Sequence, residues 1–160
     1  MKFVCSLITV SDISQSRDFY ERILGQKVRH DFGENVFFEA GFSIHLRSHF
    51  SSLIGGRTIV QGENSFELYF EQEDLETCIS LLEREGIELI HGIHEQPWKQ
   101  RVVRFYDPDR VVIEVGEPME SVCRRLVYEG FSVERIVADT GLDERFVRES
   151  LLLRDGAVSD

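Results

Sequence analysis

FVCSLITVSDISQSRDFYERILGQ, residues 3–26, is the stretch whose reading decides the fold. Phe3 to Val10 is rich in apolar and β-branched side chains and reads as a strand. Asp12 followed by Gln15 makes a capping-box start, Phe19, Tyr20, Ile23 and Leu24 recur on one helical face, and Gly25 supplies a left-handed stop. Beyond it, apolar-alternating runs near 27–31, 35–39 and 42–47 read as three short strands, parted by Asp31-Phe32-Gly33 and Ala40-Gly41. The unit is therefore β-α-β-β-β.

The same order then returns. Ser65 to Glu71 reads as a strand, and Asp74 opens a helix with Leu75, Cys78, Ile79 and Leu82 on one face and Gly86 at its end. Strands follow near 87–91, 100–106 and 111–115. The modules end in Ile44-His45-Leu46 and Ile113-Glu114-Val115, so His45 and Glu114 are repeat partners. A His and a carboxylate at equivalent strand positions suit a borderline or hard divalent cation. Residues 48–64 read as a Ser/Gly connector with breakers at Gly55-Gly56 and Gly62, and 92–99 as a long loop holding Pro97 and the single tryptophan, Trp98.

The chain of 160 residues accommodates one ordinary domain with an appendage. Its 42% hydrophobic and 29% charged residues mark it as globular, and the formal net charge of −11 argues against nucleic acid, whose phosphates demand basic surface. No run is long enough for a bilayer, and the first apolar run is too short and polar for an export signal. Cys5, Cys78 and Cys123 are odd in number without metal-pair spacing, which predicts a reducing, cytoplasmic setting.

Residues 3–26, with PWKQRVVRFYDPDRVVIEVGE over 97–117, resemble the opening and closing signatures of the vicinal oxygen chelate superfamily. That superfamily includes glyoxalase I, fosfomycin- and bleomycin-resistance proteins and extradiol dioxygenases. The resemblance covers residues 1–116 and implies an α+β fold, two β-α-β-β-β modules (1–50 and 62–116) forming a cup-shaped mixed sheet, completed in a homodimer. It places the usual metal-facing sites on Cys5, His45, Ser65 and Glu114. Cys5 stands where His is common, and Ser65 departs further. Glu67, two residues along the same strand, shares the face of Ser65 and is a replacement oxygen ligand. His45, Glu67 and Glu114 would then hold Zn, Ni, Fe or Mn, with Glu114 as the catalytic base.

Competing readings exist for each residue. His45 can serve as a hydrogen-bonded pocket residue, a strand glutamate such as Glu114 can face solvent or pair with Arg47 or Arg104, and Cys5 can be a small buried hydrophobe. Trp98 is a large amphipathic surface that calls for cover by a ligand or by protein. Phe50, Tyr69 and Cys5 are the further candidate walls of a small-molecule site. Asp107-Pro108-Asp109-Arg110 reads as a tight turn in which Arg110 replaces the more permissive residue that is usual in the family.

After Glu117-Pro118 the period becomes helical, which separates residues 117–160 as an extension with helices near 119–129, 132–139 and 143–153. Ser132 to Leu151 resembles a helix-turn-helix, but residues 117–160 carry six arginines against ten acids, a net of −4, and supply no basic face for DNA. Packing against the sheets or a dimer contact is the expected use. The leading functional expectation is a glyoxalase-like, metal-dependent lyase, isomerase or related enzyme. Its rival is a metal-free, bleomycin-resistance-like protein that sequesters a drug or other small ligand, and a third reading is a regulator with a protein-binding tail.

Overall fold

The computed structural model describes residues 1–62 and 64–152. They form two compact units, residues 1–68 with 106–112, and residues 69–105 with those from 113 onward.

The first unit is built on the strands β1 (Ser6–Val10), β2 (Val28–Asp31), β3 (Asn35–Phe38) and β4 (Phe42–Leu46), in the order β1-β4-β3-β2. β1 runs parallel to β4 from Ser6↔Phe42 to Val10↔Leu46, and the other pairs are antiparallel. Phe3 to Cys5, expected as strand, precede the first paired residue, because β4 itself begins at Phe42. Between β1 and β2, α1 (Ile13–Asp18) starts under the Asp12 cap, whose side chain accepts from the Gln15 amide. It continues as a π-helical turn, Phe19–Ile23, closed by Leu24 N–H donating to Phe19 O. Phe19, Tyr20 and Ile23 are buried there, and the Tyr20 ring meets Phe38 and Phe42. Phe42 and Ile44 thus share the helix side of β4, and strand alternation turns Ser43 and His45 to the other.

The connector is more ordered than its composition implies. Arg47–Leu53 forms α2, with no side chain capping its start. Its Phe50 ring lies 5.6 Å from the His45 ring, edge-on, so tertiary contact accompanies a serine-rich segment without capping signals.

In the second module the strands β5 (Glu67–Glu71), β6 (Leu89–Glu95), β7 (Arg101–Tyr106) and β8 (Val112–Gly116) take the order β5-β8-β7-β6, the same order as the first. Asp74 caps α3 (Leu75–Arg84) by accepting from Thr77 N, and Leu75, Cys78 and Leu82 are its buried stripe. β6 extends well past residue 91, so the loop expected over 92–99 shortens to the turn between Glu95 and Arg101. Register shifts at Leu89/His91 and His91/His94 break the alternation that would have marked the strand.

The extension forms α4 (Met119–Tyr128), α5 (Val133–Thr140) and α6 (Glu144–Ser150), capped by Ser132 and Asp143 as the sequence indicates. Leu153, expected to end the last helix, lies outside the described residues. Gly141 adopts φ 72° between α5 and α6, a left-handed conformation that a side chain would strain. The apolar stripes find one another: Val122, Cys123, Leu126, Ile136 and Val147 make a small core of their own, joined by Phe131, Val137 and Phe146. The expectation is packing against the sheets or a dimer contact; the stripes meet one another instead, and ion pairs tie the extension to the rest of the second unit. Buried Glu117 binds Arg101 of β7 at 2.5 Å and Arg125 of α4 at 2.9 Å, while Arg124 reaches Glu73 at 3.0 Å. No helix is long and apolar enough to cross a membrane among the described residues.

Candidate functional site

His45 is 7% exposed, on the side of β4 away from α1, where α2 brings His49 and Phe50 against its ring. Asn35 Nδ2 lies 3.2 Å from its Nδ1 and also donates to Ile44 O, so the amide presents N–H and the ring nitrogen accepts. His45 Nε2 must then carry the proton, and it donates to His49 Nδ1 at 3.0 Å. Burial, with the neighbouring His49 adding to it, lowers the His45 pKa and keeps the ring neutral. Cys5 is half-buried at the entry to β1, and by alternation shares a side with Leu7 and Thr9. Glu67 is exposed at the start of β5 and falls in this first unit, as does Phe50. Ser65 lines a cavity of about 240 Å³ with Leu7, Thr9, Gln61 and Arg110.

The Asp107–Arg110 turn belongs to the first unit and does more than reverse the chain. Asp107 accepts from the Tyr20 hydroxyl at 2.8 Å and from the amides of Asp109 and Val111. Burial pushes the carboxyl of Asp107 upward and the Tyr20 hydroxyl well above its ordinary value. Asp109 holds the Ser11 amide at 2.9 Å and Arg47 at 2.5 Å. Arg110 takes φ 66°, the strained conformation expected of it, with its guanidinium 4.1 Å over the Tyr106 ring.

In the second unit, Glu114 is 6% exposed and ion-paired with Arg104 on the neighbouring strand. Arg104 also reaches His91 Nε2 at 3.4 Å. A side chain at Gly116 would meet Tyr69, Gln100 and Val102, so these share the side of the sheet that Glu114 also takes, two residues away. Tyr69 is 45% exposed and Trp98 41%. Buried Gln100 joins them, accepting from Trp98 Nε1 at 3.0 Å and donating to the Tyr69 hydroxyl at 2.8 Å. The Tyr69 hydroxyl donates in turn to Glu71 at 3.0 Å, and burial together with that bond pushes its pKa up to about 12.

A divalent ion does not fit these residues as they stand. Both His45 nitrogens are engaged, Glu114 has a guanidinium partner, and Cys5 and Ser65 occupy positions where the resemblance implies stronger ligands. Among the described residues no group of three His, Cys, Asp or Glu side chains is placed to hold a metal ion. Sequence reasoning had weighed the Glu114–Arg104 pair but missed Gln100, Asn35 and His49. His45 lies on β4 and His49 on α2, so no single periodicity marked the pair. Nothing in the sequence marks Gln100.

The pattern of the glyoxalase-like domain family matches residues 3–120. A Bacillus subtilis protein, YraH, is 27% identical over 124 residues, covering 72% of this chain and 97% of its own. A solved protein of unknown function from Agrobacterium tumefaciens is 42% identical with a TM-score of 0.66, over 74% of this chain and 94% of that one. A lactoylglutathione lyase from the same organism superimposes with a TM-score of 0.59 at 20% identity, over 74% and 94%, a likeness of fold alone.

Proposed function

As the chain belongs to the glyoxalase-like domain family, we propose that it binds a small organic molecule on the side of its second sheet that carries Tyr69 and Glu114, by aromatic and hydrogen-bonding contact and without a resident metal. The observation that carries this reading is the pairing of Glu114 with Arg104. A carboxylate neutralised by a guanidinium is a poorer metal ligand and a weaker base, because opening the pair exposes a charge in a site with little water. Beside the pair, Tyr69 and Trp98 keep their polar atoms engaged through Gln100 and leave ring surface exposed. Glu71 follows Tyr69 on its own side of β5, which favours a ligand with a flat apolar body and a positive charge.

The metal-dependent alternative assigns Zn, Ni, Fe or Mn to His45, Glu67 and Glu114, with Glu114 moving a proton. The two readings separate in one titration. A panel of flat organic cations is added in the presence of a chelator and Trp98 emission is followed. Saturable quenching that weakens in Tyr69→Ala supports metal-free binding. Binding or turnover that appears only when divalent ions are restored, and that is lost in Glu114→Gln, supports the metalloenzyme.

A further inference from the structure

The Trp98 turn is strained, and the strain is held from the helical extension. Lys99 adopts φ 70°, one of few non-glycine residues in the left-handed region. Such a conformation persists only where its surroundings fix it. Lys99 O accepts from Arg125 Nη2 at 2.6 Å, and the side chain of Arg125 is 17% exposed. Arg125 is fixed in turn by two contacts to Glu117, through Nε at 3.1 Å and Nη2 at 2.9 Å. The residue next to Lys99 is Gln100, 6% exposed, whose amide binds Trp98, Tyr69 and the Glu117 carbonyl. A continuous polar chain therefore runs from α4 to the two exposed rings, all within one unit. Arg125 lies in the extension, past the end of the family match at residue 120.

We propose that the helical extension is a positioning element. Arg125 holds the Lys99 turn in its strained form, and through Gln100 that turn fixes the poses of Trp98 and Tyr69. Its purpose rests on the ligand-binding reading above; its mechanics do not. Plain structural bracing would require only that Arg125 neutralise Glu117. The grip on the Lys99 carbonyl adds a constraint on backbone conformation, and relief of that strain is separable from the charge.

Trp98 is the single tryptophan, so acrylamide quenching of the intact protein reads the turn directly and needs no ligand. Arg125→Ala should raise the quenching constant about two-fold, as a ring now 41% exposed becomes free to leave its Gln100 partner. Adding Lys99→Gly, which accepts φ 70° without steric cost, should restore most of the protection. Arg125→Lys keeps the charge beside Glu117 but loses the planar fork, and should raise quenching with little change in melting temperature; it also serves if the alanine variant does not fold. An unmoved quenching constant in Arg125→Lys, or no rescue by Lys99→Gly, overturns the positioning role. Failure of every ligand in the panel would overturn the binding reading while leaving this result standing.

Discussion

Replacing Glu117 by Gln should destabilise the protein strongly at neutral pH. The Glu117 side chain is 3% exposed and binds Arg101 at 2.5 Å and Arg125 at 2.9 Å, so the variant leaves two guanidinium groups facing a neutral amide. Breaking a buried ion pair by removing one partner costs about 3–5 kcal/mol. Arg101 is 29% exposed and Arg125 17%, so water recovers part of their solvation and about 2–3 kcal/mol is expected. For a chain of 160 residues that is a fall of about 5–10 °C in Tm. The pH dependence gives a second handle. Burial alone would raise the Glu117 pKa, but hydrogen bonds from Arg101 and Arg125 outweigh it and hold the carboxyl below its ordinary value. A depressed pKa contributes stability that is present above the unfolded value, about 4.3, and is lost as pH falls through the folded one. Urea unfolding of both proteins at pH 7 and pH 3 should therefore show a gap that narrows in acid. A gap under about 0.5 kcal/mol at pH 7, or one that does not narrow between pH 7 and pH 3, would refute the reasoning.

Three further outcomes follow from other contacts. Tyr20→Phe removes the hydroxyl that donates to Asp107 at 2.8 Å and should cost about 1–3 kcal/mol in urea unfolding at pH 7. Asp107 has a raised pKa from burial, so as pH falls through it the carboxyl becomes neutral in both proteins and the deficit should shrink toward pH 4. Gly116→Ala puts a methyl group 3.0 Å from Gln100 Nε2 and 3.1 Å from the Tyr69 ring, which should cost about 1–3 kcal/mol and shift Trp98 emission. Of the three thiols, Cys5 should react with an aromatic disulfide at once, while Cys78 and Cys123, buried and with raised pKa values, should react only at the rate of opening.

The repeat was legible because both modules carry an Asp-capped helix ending in Gly25 or Gly86, and those caps and stops appear in the structure. Local chemistry also located Ser132, Asp143 and Gly141 in the extension. What local chemistry could not give was order imposed by distant contact. α2 has no cap and a serine-rich sequence, and β6 is bulged twice, so neither periodicity nor propensity marked their extents. The burial of the extension against itself follows from which apolar stripes meet, a tertiary fact that amphipathic spacing leaves open. At the site, residue type pointed to His45 and Glu114 as ligands and offered Arg104 as a partner for Glu114, while Asn35 and His49, which engage His45, are visible only once strands and α2 are placed. Gln100 was invisible for the same reason, since its importance lies in joining Trp98, Tyr69 and Glu117 across three elements.

Isothermal calorimetry with zinc, nickel, iron(II) and manganese tests the central claim most directly, using protein stripped with chelator and carrying no affinity tag. The pairing of Glu114 with Arg104 and the engagement of both His45 nitrogens predict no saturable binding near one ion per chain, and a response to organic cations that does not change when metal is added. Stoichiometric binding of any of these ions that disappears in both His45→Ala and Glu114→Gln would contradict the account.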